Sequence, residues 1–261
     1  MIDVIITAGG VPVPEDKLYP FADGRSKALI DVAGKPMVQW VLDAVGSVDF
    51  VEHVVVIGLG PKDGIACEKP MIFVPNHGSM LENIRAGVKK VMELNPSTEY
   101  VILVSSDIPS IKGEMIDWVK DNSRGEEADI LYCVVPRQVM ETRFPDSNRS
   151  FIRFKDLEIC GGDIIVFRTA VAYGRDMIWN RLIDARKSAL KQASMIGFDI
   201  LLLMAMRRLT LEEAIKRVSN RLGLKGKALI SPYAEIGMDI DKPHQLEILR
   251  ADLLKRATLE S

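Results

Sequence analysis

Short apolar runs recur along the chain with helical patterns between them, and this alternation constrains the fold more than any other feature. The runs are DVIIT at residues 3–7, HVVVIG at 53–58, MIFVP at 71–75, YVILV at 100–104 and DILYCVV at 129–135. Between them, residues 34–45 and 80–94 place apolar side chains three and four positions apart, as amphipathic helices do. The rhythm predicts an α/β fold with a mostly parallel sheet between two helical layers.

The pattern changes after residue 150. The stretch 151–167 predicts short strands with Gly161-Gly162 between them, and residues 176–222 predict a helical insertion. A last strand and a last helix then close the chain. Because no repeat or linker divides it, we expect a single domain over residues 1–261 that contains the insertion.

The charge balance excludes some classes of partner. The chain has 34 Lys and Arg against 36 Asp and Glu, a formal net charge of −2 and a pI near 6.0. Without an extended basic stripe, nucleic acid is an unsuitable partner, and a small-molecule ligand is expected. Cys67, Cys133 and Cys160 are odd in number and widely spaced, which indicates neither a disulfide framework nor a zinc site and suits a reducing cytoplasm.

Two stretches bear on secretion and membranes. The first strand begins at the N-terminus with Asp3 inside it, so the sequence has no signal-peptide pattern and we expect a cytoplasmic protein. ILLLMAM at residues 200–206 is far shorter than the roughly 20 residues of a membrane-spanning helix. It predicts a helix in the core or in a homodimer interface, and docking on a lipid through Arg207 and Arg208 is the weaker alternative.

The first strand ends in Ala8-Gly9-Gly10, a turn that suits a phosphate group. Glycine has no Cβ, so backbone N–H groups can approach a bulky anion closely. Arg25, Lys27 or Lys35 would supply the cation that a phosphate site also needs. A plain turn beside solvated lysines is the alternative for this stretch by itself.

Two acidic stretches are candidates for a magnesium site. Asp107 directly follows a buried strand, and Pro109 disfavours a helix at Ile108, so its carboxylate is expected at the carboxyl edge of the sheet. Asp239 and Asp241 precede the last helix, and two acids two positions apart on an extended segment point to opposite sides. One is expected to cap the helix and the other to join Asp107 on Mg²⁺, which prefers carboxylate and phosphate oxygens.

Gly78 and Ser79 lie between a strand and an amphipathic helix, on the same predicted edge. Ser79 is also a plain helix N-cap residue, and capping is compatible with ligand binding.

Two other nucleotide motifs are excluded. GLGPKDG has the spacing G-x-G-x-x-x-G with a proline inside it, and no G-x-x-x-x-G-K-[ST] occurs.

Five motifs follow one another in a specific order: TAGG with SKALIDVAGKPM, GSMLENIRAGV, SSDIP, CGGDIIVF and GMDIDKPHQLE. Together they resemble the MobA-like NTP transferase group, in the nucleotidyltransferase branch of the GT-A fold, over residues 1–170 and 226–250. The resemblance implies a three-layer, Rossmann-like nucleotide-diphospho-sugar transferase fold. It also implies an enzyme that transfers NMP from an NTP to a phosphorylated or hydroxyl acceptor, releases pyrophosphate and depends on Mg²⁺.

The resemblance also implies roles for individual residues. In that family the glycine-rich turn wraps the nucleotide, a lysine binds phosphate, a G-x-x-x-N-like segment reads the base and two carboxylates hold magnesium. The matching nucleotide-binding positions are Ala8, Gly9, Gly10, Lys27, Gly78, Ser79 and Asn83, and the matching metal-binding positions are Asp107 and Asp239. Lys27, Asp107 and Asp239 are the implied catalytic residues, and Asp241, nearer the helix start, is the predicted cap.

Two departures from the family pattern concern the phosphate grip. Relatives have an arginine a few residues after the turn, whereas VPVPEDKLYPFADG follows here, and Ser26 replaces the usual proline before Lys27. Arg25 is the expected nucleotide-binding replacement, with Lys35 as the alternative.

Two other function classes stay open: a glycosyltransferase of the same fold, although SSDIP lacks the second acid of its usual D-x-D, and a nucleotide-binding protein without turnover.

Overall fold

A computed structural model describes residues 1–173 and 197–260, and the part of the predicted insertion at 176–196 lies outside the described residues. The strands are β1 (Ile2–Thr7), β2 (Asp31–Val32), β3 (Lys35–Pro36), β4 (Val51–Ile57), β5 (Met71–Val74), β6 (Tyr100–Ser105), β7 (Ile130–Pro136), β8 (Ile152–Arg153), β9 (Glu158–Arg168) and β10 (Gly226–Ile230). The helices are α1 (Tyr19–Ala22), α2 (Met37–Gly46), α3 (Met80–Leu94), α4 (Gly113–Ser123), α5 (Arg137–Arg143), α6 (Thr169–Tyr173), α7 (Phe198–Ala205), α8 (Leu211–Leu222) and α9 (Pro243–Glu260).

One large sheet forms the centre of the fold. Its strand order is β5-β4-β1-β6-β9-β7-β10, β8 pairs with β9, and β2 and β3 form a separate pair. β1 runs parallel to β4 and β6, β4 to β5, and β7 to β10. β9 runs antiparallel to β6 and β7. The predicted α/β fold with a mostly parallel sheet is confirmed.

Helices cover both faces of the sheet. Val4 and Ile6 of β1 belong to a core that includes side chains of α2, α4 and α9, whereas Ile5 belongs to a second core with α3. A continuous apolar run suits this environment, because both side-chain directions of the strand need apolar partners. The three-layer arrangement is therefore present as predicted.

The prediction of two short strands around Gly161-Gly162 is wrong, because β9 runs through both glycines as one strand. The partner strand β7 shifts register between Tyr132 and Val134. A Cβ on Gly162 would lie 2.8 Å from the carbonyl oxygen of Cys133. Glycine here permits a close approach of two backbones inside a sheet, where the sequence pattern suggested a turn.

Two helices of the predicted insertion, α7 and α8, lie within the described residues. A capping box begins α8, since Thr210 and Glu213 each accept from the other's backbone N–H. On α7 the side chain of Ile200 is buried, whereas Leu202 is 60% exposed. The expectation of a core helix is therefore wrong for the outer face of α7, and the homodimer alternative stays a prediction. In the described part of the chain, no helix is long and apolar enough to span a membrane.

Candidate functional site

The carboxyl ends of the parallel strands β1, β4, β5 and β6 meet at one edge of the sheet. Open α/β sheets bind ligands at this edge, since loops from neighbouring strands converge there. The loops bring together residues 8–10 after β1, Gly58 after β4, residues 76–78 after β5 and Asp107 after β6. These loops form the candidate site.

The loops after β1 and β4 are in backbone contact. Gly58 has φ +91°, and a Cβ on it would lie 2.1 Å from the Cα of Gly9. The N–H of Ala8 donates to the carbonyl oxygen of Ile57 at 2.8 Å. Only glycine fits at position 58, so the turn after β1 has a fixed shape.

The turn offers two unused backbone donors. Within the described residues, neither the N–H of Gly9 nor that of Gly10 donates to a protein acceptor, although Gly9 is buried. Buried N–H groups are normally paired, so the unpaired N–H of buried Gly9, with the exposed N–H of Gly10 beside it, favours a bound anion at this place.

Ser26 joins this turn to Lys27. Its hydroxyl donates to the carbonyl oxygens of Ala8, at 2.5 Å, and Gly10, at 3.2 Å. The backbone N–H of Lys27 donates to the same Gly10 oxygen at 2.8 Å. A proline at position 26 has no hydroxyl to make these bonds. The serine therefore fixes the turn and the start of the lysine segment together.

Asn76, which sequence reasoning missed, holds the loop after β5. Its Nδ2 donates to the Gly9 carbonyl oxygen at 2.8 Å, and its Oδ1 accepts from Gly78 N–H at 2.9 Å and from Asn83 Nδ2 at 3.0 Å. The Oδ1 of Asn83 accepts from His77 N–H at 2.7 Å. The buried Asn83 thus bonds this loop, and its predicted contact with a base stays a prediction.

Ser79 is the N-cap of α3. Its hydroxyl oxygen accepts from the N–H of Glu82 at 3.2 Å, and its hydroxyl donates to the Glu82 carboxylate. The plain capping role is therefore present, while the nucleotide-binding role of Gly78 and Ser79 stays a prediction.

Three carboxylates and a lysine meet in front of β6. Asp107, Asp239 and Asp241 each place one oxygen within 4.8 Å of the others. The Nζ of Lys27 lies 2.7 Å from Asp107 Oδ2 and 2.7 Å from Asp241 Oδ1. We call these three aspartates the acid cluster. The chain positions of Lys27, Asp107 and Asp241 are far apart, so the fold brings them together.

The expectation that Asp239 and Asp241 point to opposite sides is wrong. Their segment is irregular and follows a 3-10 helix at Ala234–Gly237, and strict alternation holds only in a regular strand. The N–H of Ile240, between the two acids, donates to the carbonyl oxygen of Asp107 at 3.0 Å. The Asp241 carboxylate therefore extends to Lys27, and its role as a helix cap stays a prediction.

Each of the other two acids has its own partner. The Oδ1 of Asp107 accepts from the Ser105 hydroxyl at 2.5 Å. Asp239 is 8% exposed and pairs with Nη1 of Arg149. Asp163 of β9 is a further acid near the cluster.

The charges of the cluster act on two pKa values. Burial lowers the pKa of Lys27, but attraction to Asp107 and Asp241, together with hydrogen bonds to both, outweighs burial and raises it above 10.5. Burial raises the pKa of Asp163 to about 7, and the negative charge of Asp107 adds to this effect. Lys27 therefore stays charged at neutral pH, whereas Asp163 keeps its proton to a higher pH than an ordinary aspartate does.

Arg25 and Lys35, the two other candidate cations for binding phosphate, differ in their contacts with the protein. Arg25 is exposed, and none of the described residues forms an ion pair with it, so its guanidinium is free to meet a ligand. Lys35 pairs with Asp43 at 2.7 Å and lies over the ring of Trp40, 4.6 Å from its centroid. These contacts hold Lys35 against α2, which makes Arg25 the better candidate for the phosphate grip.

The chain matches the MobA-like NTP transferase domain family over residues 21–224. It belongs to this family. The prediction of the family is confirmed, and with it the assignment of the chain as a nucleotidyltransferase. The match ends at residue 224, so only the geometry places Asp239 and Asp241 in the site of this NTP transferase.

Solved structures share the fold of the NTP transferase. A hypothetical transferase from Thermus thermophilus is 30% identical with a TM-score of 0.80, covering 94% of this chain and 99% of that chain. CMP:2-keto-3-deoxy-manno-octonic acid synthetase complexed with CTP is 16% identical with a TM-score of 0.59, covering 98% of both chains. A 2-C-methyl-D-erythritol 4-phosphate cytidylyltransferase from Thermus thermophilus is 16% identical with a TM-score of 0.52, covering 97% of this chain and 98% of that chain. No curated protein sequence matches the chain.

The acid cluster of the NTP transferase fits a magnesium ion. Its donors are carboxylate oxygens, the hard ligands that Mg²⁺ takes when phosphate oxygens complete its shell. Lys27 already bonds two of the three carboxylates, so positive charge is favoured at this place. A divalent cation and the Lys27 ammonium would compete for Asp107 and Asp241.

Proposed function

We propose that this NTP transferase moves NMP from a nucleoside triphosphate to a phosphate or hydroxyl acceptor and releases pyrophosphate, with Mg²⁺ held by Asp107, Asp239 and Asp241. The observation that carries the proposal is the acid cluster with Lys27 at the same sheet edge as the free donors of Gly9 and Gly10. One edge of the sheet thus offers both metal ligands and anion donors, as phosphoryl transfer requires.

The reaction forms one bond at phosphorus and breaks one. An acceptor oxygen attacks the α-phosphorus, and the bond from that phosphorus to the oxygen bridging the α- and β-phosphates breaks, so pyrophosphate leaves with its electron pair. A hydroxyl acceptor also releases its proton to water. Magnesium, when bound, supplies neutralisation of the phosphate charge.

The residues of the chain bind and orient the reactants. The N–H groups of Gly9 and Gly10 would bind phosphate oxygens, and the Lys27 ammonium would offset the charge that develops on the transferring group. Arg25 would bind the leaving phosphates in place of the arginine that relatives carry near the turn. Orientation of this kind lowers the barrier without a protein nucleophile.

Pyrophosphate release tests the proposal. The five common nucleoside triphosphates are incubated with Mg²⁺ and pools of sugar phosphates and sugar alcohols, and CTP is tried first because two structural neighbours act on cytidine nucleotides by name. One triphosphate should release pyrophosphate only when an acceptor and Mg²⁺ are present, and Lys27→Ala should reduce that rate.

Two outcomes contradict the proposal. Release of a nucleoside diphosphate from a nucleotide sugar, without pyrophosphate from any triphosphate, would identify a glycosyltransferase instead. Tight binding of a triphosphate with no product from any pool would favour a binding protein. Lys35→Ala serves as the control variant, since Lys35 is held by Asp43.

A further inference from the structure

Arg149 lies on the loop between α5 and β8, and that loop is held to the segment that carries the acids. The carbonyl oxygen of Ser147 accepts from Nε2 of His244 at 3.2 Å and from Nε2 of Gln245 at 3.4 Å. The Oε1 of Gln245 accepts from the N–H of Asp241 at 2.9 Å. Gln245 is 1% exposed, so its amide joins the arginine loop and the acid segment through buried bonds.

The backbone just before Arg149 is unusual. Asn148 has φ +50°, a left-handed conformation that asparagine tolerates better than most residues. The Arg149 side chain is 15% exposed and extends to the acid cluster, where its Nη1 pairs with Asp239 and its Nη2 lies 3.4 Å from the carbonyl oxygen of Gly161. The loop therefore holds a guanidinium at the site.

The bonding of this guanidinium is incomplete. The Nε of Arg149 is buried and has no hydrogen-bond partner, and the bond to Gly161 is long. A planar guanidinium has five donors that match the oxygens of a phosphate or a carboxylate. The buried Nε is closed to a ligand, but the Nη groups lie at the acid cluster, and one of them is held only by the long bond to Gly161, which suits an anionic ligand.

The sheet order places Arg149 away from the nucleotide loops. Residues 8–10 and 76–78 follow β1 and β5, whereas Gly161, which Arg149 touches, lies on β9. β6, which leads to Asp107, lies between β1 and β9. Arg149 thus lies on the β9 side of Asp107, opposite the nucleotide loops, where we expect the acceptor to bind.

We propose that Arg149 binds an anionic group of the acceptor, so that the acceptor is a phosphorylated or carboxylated compound and not a neutral alcohol. This inference rests on the proposed function. Arg149 is then a specificity residue of the reaction. The Oδ1 of Asp239 holds its guanidinium in place, which leaves the second carboxylate oxygen of Asp239 for the metal.

Calorimetric titration of the full chain tests the inference with inorganic phosphate and formate as probes. The chain is first saturated with Mg²⁺ and the non-hydrolysable α,β-methylene analogue of the triphosphate that binds best. Phosphate or formate should then bind the wild type with millimolar affinity, and Arg149→Gln should weaken that binding at least about 10-fold, the usual loss for a charged hydrogen bond. Arg149→Gln should leave the affinity for the nucleotide analogue within about 3-fold.

A matched variant and the contrary results complete the test. Arg153→Gln removes an exposed arginine that pairs with Glu158 on the same strand pair, and it should change neither affinity. Equal weakening of nucleotide analogue and anion in Arg149→Gln would make Arg149 a triphosphate ligand and overturn the inference. Failure of both anions to bind the wild type at 50 mM, roughly fifty times a Kd of about 1 mM, would overturn it as well. No nucleotide binding at all would instead count against the proposed function.

Discussion

The two ends of β1 carry polar side-chain contacts of different construction. At the amino end, the carboxylate of Asp3 is 1% exposed and lies 2.9 Å from Nδ1 of His53 on the neighbouring strand β4. At the carboxyl end, Lys27 lies 2.7 Å from both Asp107 and Asp241, which come from separate loops. Sheet register is enough to form the first pair, whereas the second needs three distant segments.

This contrast indicates where ligand chemistry is placed in this fold. The acid cluster gathers three carboxylates around one lysine and one arginine, and mutual repulsion makes such a group costly for a protein without a ligand. The amino end brings Asp3, Glu52 and His53 together as well, but it lies at the edge opposite the loops that follow the parallel strands. We therefore assign stability to the amino end and function to the carboxyl end.

Single substitutions at the two ends of β1 should have the strongest effects, one on the reaction rate and the other on stability. Asp107→Asn should reduce pyrophosphate release about 100-fold or more, since it removes a group that acts on the transition state, and should leave Tm nearly unchanged. Asp3→Asn should do the reverse, costing about 1–3 kcal/mol of unfolding free energy through a weakened buried pair while the rate stays nearly constant. Urea unfolding and the pyrophosphate assay on both variants measure this. If Asp3→Asn abolished turnover at unchanged stability, the assignment of the two ends would be reversed.

A pH dependence should distinguish the two ends, because the carboxyl end contains Asp163, a carboxyl group with a strongly raised pKa. Burial, aided by Asp107, raises the pKa of Asp163 from 3.8 to about 7. Between these values the folded protein binds more protons than the unfolded chain, so stability should fall as pH rises, by on the order of 1 kcal/mol per pH unit at most, and level off above the folded pKa.

Asp163→Asn should remove this slope. The variant should be more stable than the wild type above the folded pKa and lose that advantage as the pH falls towards 3.8. Urea unfolding with EDTA across this range measures the difference. If the free energies of unfolding of wild type and variant change with pH in parallel, burial does not raise the pKa of Asp163.

Two glycine substitutions, with smaller expected effects, separate the role of the glycine turn in stability from its role in nucleotide binding. Gly58→Ala places a Cβ 2.1 Å from Gly9 at φ +91°, so it should destabilise the fold by more than about 1 kcal/mol. A Cβ on Gly10 meets nothing within 4 Å, so Gly10→Ala should change stability by less than about 0.5 kcal/mol. Gly10→Ala should nevertheless weaken nucleotide binding, as calorimetry can show, because the Cβ would stand where the phosphates approach. Unchanged nucleotide affinity in Gly10→Ala would move the nucleotide away from this turn.

The sequence predicts the sheet well because burial on both faces leaves a direct mark, the continuous apolar run. Asp107 was predicted for a similar reason, since it directly follows such a run. Lys27 was a candidate from the glycine turn and from the family resemblance. Each of these residues lies within or beside a local pattern.

The other residues of the site could not be predicted from their neighbours in the sequence. Arg149 and Gln245 meet the acid cluster only through the fold of an irregular loop and a helix start, and nothing in their neighbouring residues marks them. Asp241 was misplaced because alternation was assumed for a segment that is not a strand. The glycines of β9 were misread for a related reason, since a close backbone approach and a turn favour the same residue.

We propose that the carboxyl end of β1 binds a nucleotide together with magnesium. Thermal unfolding with CTP, GTP, UTP, ATP and dTTP, each with Mg²⁺ or with EDTA, tests it on the wild type, Asp107→Asn and Asp3→Asn. One triphosphate at about 100 times its Kd should raise the free energy of unfolding by about 2.7 kcal/mol in the wild type. The shift should vanish in EDTA and in Asp107→Asn and persist in Asp3→Asn. A shift that survives both EDTA and Asp107→Asn would contradict the account.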